Sequence, residues 1–300
     1  MNKYEKELLV LKEEYQTRYA EYKNGMNKLK SDAQRACNVY NGHIGVINSE
    51  RHSLREELRA LYDFLGKLGD VGIGITVFDY VVEVPESINL EQDACGNISD
   101  IDRNAHGLRD ATTFVIAPAI FLAEKAVGGL LKRSQDKKIL LEQTDFAENE
   151  YTKWEKQLGD ANQLVEFYKT AGEIADIYRG IVAMVRDTIK QTIIPELDGV
   201  AAFLAAFAIK EAVIFGEDPD EAVALGIEQF NGTPYEQHYI FVKNTFEYYQ
   251  LIKTFFTEPI LTRIVSDREI TLQEKCEFKK KTAEIESKGK QIVNMASFGG

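Results

Sequence analysis

Glycines are concentrated in one short segment of this chain, and a glycine-rich loop is one of the few short patterns that can hold a phosphate. Gly66, Gly69, Gly72 and Gly74 give the spacing G-x-x-G-x-x-G-x-G. A dinucleotide-binding loop must follow a strand and open a helix, whereas these glycines follow a strongly helical pattern. No G-x-x-x-x-G-K-[ST] sequence occurs either. We therefore predict hinges or close packing rather than a nucleotide site. The predicted hinge glycines are Gly66, Gly69, Gly72, Gly74, Gly128 and Gly129.

Histidine and cysteine are the side chains most often used for metal binding and nucleophilic catalysis, and here they are scattered. The four histidines are His43, His52, His106 and His238. A zinc site needs clustered Cys or His ligands, and no histidine has a second histidine or a cysteine at i, i+4 spacing. The three cysteines are Cys37, Cys95 and Cys276. Their odd number and wide spacing are typical of a reducing compartment rather than of a disulfide framework. The sequence therefore predicts no metal site and no cofactor.

Acidic residues give no usable sign of catalysis. With 48 Asp and Glu in the chain, neighbouring pairs such as Glu56 and Glu57 arise without any acid–base role. No G-x-S-x-G elbow and no local cysteine signature occurs, so a nucleophile has no candidate. We expect a protein that is not an enzyme.

The charge balance excludes one class of partner. The formal net charge is -12, whereas binding to phosphates requires a dense field of Lys and Arg. Nucleic acid is therefore not an expected partner. The opening residues, MNKYEKELLVLKEE, combine acidic side chains with only a short apolar run, which does not fit a signal or transit peptide. A cytoplasmic location is the default, with signal-independent export or peripheral membrane association as the alternatives.

The clearest structural pattern is in the first sixty-odd residues. Apolar side chains recur from Tyr4 to Leu68 in steps of three and four, which places them on one stripe of a helix. An unbroken helix over this stretch would be on the order of 90 Å long. Asn41, Gly42 and Gly45 are the place where turn chemistry could divide it into two helices.

Further helices are predicted along the rest of the chain. The second long pattern repeats apolar residues at heptad-like intervals, which indicates a core-facing seam, and Pro195 is expected to end it. The predicted helical spans are 134–158, 162–193, 197–215, 236–256 and 267–295, with a short helix that opens at the acidic cluster around Pro219 and ends near Phe230. The apolar anchors predicted for the last helix are Leu272, Phe278, Ile285 and Ile292.

Two apolar runs, 71–84 and 111–131, lie on either side of a polar loop and between the long helical patterns. Over residues 1–195 this layout is similar to that of the helical pore-forming toxins, whose apolar tongue interrupts a helical stalk. The resemblance is one of layout, without a shared motif, and it implies a hairpin that enters lipid. The side chains predicted to contact a membrane or a partner are Ile73, Ile75, Val77, Phe78, Phe114, Ile116, Ile120 and Phe121.

Charged residues near the middle of both runs favour a different interpretation. Asp79 lies in the first run, and Glu124 and Lys125 lie in the second. An Asp or Lys at the centre of a membrane helix costs about 2.5 to 3.5 kcal/mol, so permanent spanning is disfavoured. Buried helices of a large soluble bundle have the same composition.

The sequence as a whole predicts an all-α fold. We expect an elongated helical bundle or antiparallel coiled-coil stalk with a glycine-rich apolar hairpin at one end. The predicted segments are a stalk helix over 1–65, an apolar head over 66–131, further stalk helices over 132–195 and a C-terminal helical cluster and tail over 196–300.

The expected function is associative. The first hypothesis is an assembly or interaction protein whose long helix faces bind another copy, as a homo-oligomer, or another helical protein. The alternative is a membrane-active protein, similar to a pore-former, that inserts the apolar hairpin 71–84/111–131 into a lipid membrane.

Overall fold

Helices account for all regular structure in the described part of the chain. The computed structural model describes residues 3–70, 84–90, 94–103, 129–200, 230–267 and 269–296. The helices in these ranges are α1 (Lys3–Asp70), α2 (Ala94–Arg103), α3 (Gly129–Thr188), α4 (Glu236–Thr257), α5 (Ile260–Asp267) and α6 (Leu272–Ala296). These residues contain no strand, so the predicted all-α class is confirmed for them.

The first helix is unbroken, and the division considered at Asn41 and Gly42 does not occur. α1 has 68 residues, which at 1.5 Å per residue is about 100 Å. Gly42 and Gly45 are exposed, with no neighbouring atom within 4 Å of a built Cβ. Each glycine costs roughly 1 kcal/mol relative to alanine in a helix. The complete burial of Ile44 and Ile47 on the opposite side of the same turns outweighs that cost.

The apolar stripe predicted for α1 is the side of the helix that is buried. Cys37, rather than the neighbouring Ala36 expected from the spacing, takes one of the buried positions. The predicted positions that are buried are Tyr15, Tyr22, Met26, Ala33, Tyr40, Ile44, Ile47, Leu54, Leu58, Leu61 and Leu65.

The second long pattern forms one helix where the sequence predicted two. α3 runs from Gly129 to Thr188 without a break, so the predicted gap between residues 158 and 162 is wrong. Gly159 is exposed, while Ala161 and Val165 are buried. Burial of the apolar face therefore stabilises the helix enough to continue past Gly159.

Pro195 does not end this helix, which is a second correction. A π-helical turn over Ile189–Ile193 comes directly before the proline, and α-helix then continues to residue 200. The N–H of Ile194 donates to the carbonyl of Ile189 across this wider turn. A proline ring normally clashes with the carbonyl four residues earlier, and the wider turn gives the ring room.

The chain divides into two compact units. Unit 1 consists of Met1–Val39 and Glu91–Thr170, and unit 2 consists of Tyr40–Leu90 and Ala171–Gly300. Each unit therefore combines one part of α1 with one part of α3. Each of the four segments predicted from the sequence is one continuous stretch of chain, whereas each unit combines two separate stretches.

Within each unit α1 and α3 run in the same direction, which corrects the expected antiparallel stalk. In unit 1 the ring of Tyr15 lies 6.2 Å from that of Phe146, and Tyr22, further along α1, bonds Gln157, further along α3. In unit 2 Glu50 pairs with Arg186 at 3.4 Å and Glu57 pairs with Lys190 at 3.7 Å.

The chain after α1 explains this parallel direction. In unit 2 the extended residues 84–90 pass first Asn48 and then Asn41 of α1, so they run backwards along it. In unit 1 α2 does the same, because its first turn contacts Gln34 and its last turn contacts Tyr22. α3 therefore begins in the unit that holds the start of α1.

The C-terminal helices belong to unit 2. The predicted span 236–256 is confirmed to within one residue, whereas α6 begins at Leu272 instead of Asp267, and Asp267 is the last residue of α5, which was not predicted. α4 and α6 are antiparallel, since Asn244 near the start of α4 accepts a hydrogen bond from Lys288 and Phe255 near its end contacts Phe278. Thr271 and Glu274 form a reciprocal capping box at the start of α6.

Candidate functional site

The eight side chains predicted to contact a membrane or a partner lie outside the described residues. They are Ile73, Ile75, Val77, Phe78, Phe114, Ile116, Ile120 and Phe121. Residues 71–83 join Asp70 to Val84, both in unit 2, and residues 104–128 join Arg103 to Gly129, both in unit 1. Because these residues are outside the described part of the chain, the apolar hairpin and its entry into lipid stay predictions from the sequence. Among the described residues no helix combines the length and apolar character needed to cross a bilayer.

The predicted hinge glycines fall into two groups. Gly66 and Gly69 lie inside α1, which ends only at Asp70, and Gly129 is the first residue of α3. Gly72, Gly74 and Gly128 are outside the described residues, and the hinge role stays a prediction.

A buried carboxylate near the end of α2 is the most strongly organised polar site in unit 1. The hydroxyl of Tyr22 donates to Oδ1 of Asp102 at 2.8 Å. The ammonium group of Lys23 lies 3.2 Å from both carboxylate oxygens, and that of Lys30 lies 3.4 Å from Oδ2. Tyr22, Lys23 and Lys30 all come from α1, so one acidic side chain of α2 faces two cations and a phenol. We call these four residues the Asp102 cluster.

Burial and charge act in opposite directions on Asp102. Burial alone would raise the pKa of this carboxyl group, but the hydrogen bonds from Tyr22 and Lys23 and the positive charges of Lys23 and Lys30 lower it below its ordinary value. Burial and the bond to Asp102 raise the pKa of the Tyr22 phenol. The cluster therefore holds a carboxylate beside a neutral phenol at neutral pH.

The rest of α2 is also held by polar side chains from its neighbours. Gln34 accepts a hydrogen bond from the backbone N–H of Cys95 at 3.3 Å, in the first turn, where a helix has free N–H groups. Asn97 donates to the hydroxyl of Tyr168 at 2.9 Å. Gln157 donates to the carbonyl of Ile101 at 3.0 Å, in the last turn, where carbonyls are free. One backbone group at each end of α2 is thus bonded by a side chain of unit 1.

Burial of apolar side chains contributes less to the docking of α2 than the polar contacts do. Only Ala94 and Ile98 of its described side chains are fully buried apolar groups. Burying an isoleucine contributes about 1.5 to 3 kcal/mol, and a ten-residue helix is not stable alone in water. Hydrogen bonds to charged groups contribute about 1.5 to 3 kcal/mol each. The Asp102 cluster is therefore a main determinant of whether α2 stays in place.

In unit 2 two asparagines of α1 bind the backbone of the extended residues 84–90. The amide of Asn48 donates to the carbonyl of Ser87 at 2.9 Å and accepts from its N–H at 3.0 Å. Asn41 makes the same pair of bonds to Leu90, at 3.2 Å and 2.9 Å. Seven helical residues rise about 10.5 Å and three extended residues span about 10 Å, so the two spacings match.

Sequence reasoning missed these polar residues because it followed apolar periodicity alone. Gln34, Asn41 and Asn48 are spaced seven apart, and each bonds the backbone of the segment that follows α1. Amide side chains repeated every seven residues beside the apolar stripe were the signal that could have indicated a segment docked on α1.

An aromatic cluster between α1 and α3 forms a shallow groove of about 260 Å³ in unit 1. Tyr22 and Trp154 stack with their ring centroids 5.4 Å apart, and both are nearly buried. The guanidinium of Arg18 already lies over the ring of Tyr151, 4.3 Å from its centroid. Burial raises the pKa of Tyr15 in the same cluster to about 12. Because the ring faces contact one another or Arg18, the cluster mainly packs the two helices together.

Exposed apolar side chains occur in both units. Leu9, Val10 and Leu141 are exposed in unit 1. In unit 2 Val46 of α1 is 38% exposed and Ile88 of the extended segment is 50% exposed. Val46 lies on the same exposed side of α1 as Gly42, Gly45 and Ser49. We call these four residues of α1 the uncharged face.

Side chains suited to metal or thiol chemistry are dispersed. Within the residues that the structure covers, no group of three or more His, Cys, Asp or Glu side chains is arranged to hold a metal ion. Cys37 is buried, Cys95 is half-buried on α2 and Cys276 is exposed on α6.

Within the described residues, the Asp102 cluster is an organised polar site and the uncharged face is an exposed helix surface without charged side chains. A proposal has to rest on them, because no family model, no curated protein and no solved structure matches the chain.

Proposed function

We propose that this chain is a non-enzymatic helical interaction protein that self-associates through exposed faces of its long helices. The observation that carries the proposal is the uncharged face of α1 in unit 2. Gly42, Gly45, Val46 and Ser49 are exposed there, opposite the buried stripe of the same helix.

The composition of this part of α1 is unusual for an exposed helix. Residues 36–49 contain no Asp, Glu, Lys or Arg, in a chain in which 28% of the residues are charged. Solvent-facing helix surfaces normally carry charged side chains. A surface without them that also exposes a valine is suited to contact with another apolar surface.

The two glycines are suited to close approach by a second backbone. Nothing lies within 4 Å of a Cβ built on Gly42 or Gly45, so packing among the described residues does not require glycine at either position. Glycine in a helix interior is destabilising, and it is useful where another backbone comes near. A second helix packed on this face would contact the backbone at Gly42 and Gly45 and the apolar side chain of Val46.

Charge favours self-association at this face over contact elsewhere on the surface. Two copies with a formal net charge of -12 each repel one another. Repulsion is weakest where both surfaces carry no charge, and contact between two uncharged faces leaves no carboxylate desolvated. We therefore take a second copy of the chain as the partner.

The test is a measurement of molar mass by light scattering over a range of concentrations. For the wild-type protein we expect a mass that rises above the 34.0 kDa of one chain. Val46→Glu places a charge in the uncharged face and should return the mass to that of one chain. Val293→Glu on α6 is the matched control, because Val293 is 40% exposed, and it should leave the mass unchanged.

Two outcomes would contradict the proposal. A wild-type protein that stays at 34.0 kDa up to high concentration does not self-associate. Equal masses for the wild type and Val46→Glu above that value would place the contact elsewhere on the chain.

A further inference from the structure

α2 differs from the long helices in how it is attached to unit 1. It has ten residues, and its fully buried apolar residues are Ala94 and Ile98. Polar side chains of α1 and α3 make hydrogen bonds and ion pairs to it along its length. A short helix of this kind gains its order from docking rather than from its own hydrogen bonds.

Asp102 is the contact on which the others depend most. It neutralises part of the charge of Lys23 and Lys30, whose side chains are 32% and 20% exposed. Without Asp102, these two partly desolvated ammonium groups would lose the negative charge with which both of them pair at the end of α2. Undocking of α2 returns both lysines to water, so loss of Asp102 favours the undocked state.

The long helices do not need α2 in order to stay paired in unit 1. Tyr15 packs against Trp154 with the ring centroids 5.1 Å apart, and Tyr22 stacks on the same indole. A Cβ built on Gly25 would lie 3.0 Å from Leu158, which shows how closely the two helices approach. These contacts join α1 directly to α3.

We propose that α2 is a detachable latch on unit 1, which undocks as a unit while α1 and α3 remain folded, and that Asp102 is the residue that locks it. Undocking exposes the hydroxyl of Tyr22, the amide of Gln157 and the two lysines, which together present a basic, hydrogen-bonding surface. The latch does not depend on self-association, and it would act in a single copy of the chain.

Hydrogen exchange read by mass spectrometry on the full-length protein tests the latch. In the wild type we expect peptides from residues 95–103 to exchange about tenfold or more faster than peptides from residues 22–37 of α1. Asp102→Asn should speed exchange in 95–103 by a further factor of about ten or more, since a bond to a charged group is lost. Exchange in residues 22–37 and in α6 should not change.

Asp160→Asn is the matched control, because Asp160 is an exposed residue of unit 1 and undergoes the same chemical change. It should leave exchange in 95–103 within about twofold of the wild type. Labelling of thiols gives a second readout. Cys95 should react faster in Asp102→Asn than in Asp160→Asn, with the exposed Cys276 as the internal reference for reagent.

The proposal is overturned if α1 and α2 exchange at the same rate in the wild type and accelerate together in Asp102→Asn, since α2 would then open only when unit 1 unfolds. Should Asp102→Asn fail to fold, the wild type in low and high salt replaces it. Salt weakens the partly exposed ion pairs of Lys23 and Lys30, so high salt should speed exchange selectively in 95–103. Uniform or absent acceleration in salt would also contradict the latch.

Discussion

α2 in unit 1 and α6 in unit 2 both dock on longer helices, but they do so by different means. α6 buries Phe278, Ile285 and Ile292 at intervals of seven residues. α2 buries Ala94 and Ile98 and depends on the carboxylate of Asp102 for much of the rest. The first is attached by an apolar seam and the second by polar contacts.

The difference teaches what each attachment requires. An apolar seam needs only a complementary surface, because burial of hydrocarbon is non-directional. A polar attachment needs every partner in place, because a buried donor or acceptor without one costs free energy. We therefore expect α6 to detach only when unit 2 unfolds. We expect α2 to detach more readily after a single change in charge.

The largest expected effect is on the apolar seam. Phe278→Ala removes a buried ring that lies 5.7 Å from the ring of Phe255. We expect a loss of about 3 to 5 kcal/mol in the free energy of unfolding, since such truncations leave a cavity. Urea denaturation followed by circular dichroism measures it. Leu272→Ala at the start of the same helix is the control, because Leu272 is 79% exposed and should cost almost nothing. A similar cost for both variants would contradict the apolar seam.

A smaller loss is expected from Gly289→Ala in the middle of the same seam. A Cβ at position 289 would lie 3.2 Å from the hydroxyl oxygen of Tyr248, which is fully buried and has little room to move. We expect a net destabilisation of about 1 to 2 kcal/mol from this overpacking. The midpoint of thermal unfolding should fall. An unchanged or higher midpoint would show that Tyr248 can shift and that the seam is less tightly packed.

The polar attachment should respond to acid. Because the folded state lowers the pKa of Asp102, the carboxylate stabilises docking at pH values above its unfolded pKa of about 3.9. That contribution is lost as the pH falls through the lower, folded value. The fluorescence of Trp154, the single tryptophan of the chain and a neighbour of Tyr22, reports on unit 1.

We expect the fluorescence of the wild type to change below about pH 4, and the Asp102→Asn variant to lack that step. Asp160→Asn, an exposed aspartate of unit 1, serves as the control and should keep it. A step of equal size in wild type and Asp102→Asn would assign the acid response to other carboxylates.

The smallest effect is a gain in stability. Gly180 lies on the exposed side of α3 with nothing within 4 Å of a built Cβ. Gly180→Ala should therefore stabilise the protein by about 0.5 to 1 kcal/mol, through helix propensity alone. Comparing the change in stability of Gly180→Ala with that of Gly289→Ala separates the effect of helix propensity from that of side-chain packing. A loss of stability in both variants would mean that α3 is packed more closely than the structure shows.

The apolar part of the fold was predictable from the sequence, because burial follows spacing. The stripe of α1 from Tyr15 to Leu65 and the anchors Phe278, Ile285 and Ile292 were read from their intervals and are buried. Leu272, predicted as an anchor at the start of the same row, is exposed instead. The helix begins at this residue, so its first turn extends beyond the core.

Features that depend on the third dimension were not predictable in the same way. The parallel direction of α1 and α3 follows from where residues 84–90 and 94–103 dock, and periodicity within a helix carries no information about that. Asp102 is one of 48 acidic residues, and only the approach of Lys23 and Lys30 distinguishes it. Pro195 was taken as a helix end because the π-helical turn that accommodates it has no sequence signature.

The pair of asparagines at positions 41 and 48 works as a molecular ruler. It fixes the number of residues on each side of the contact, since three extended residues from Ser87 to Leu90 match two helical turns of α1. Deleting one residue between the asparagines would turn the second amide away by about 100°, whereas Ile88 and Asn89 between the bonded positions point to solvent. The contact should therefore tolerate many changes of side chain there and almost no change of length.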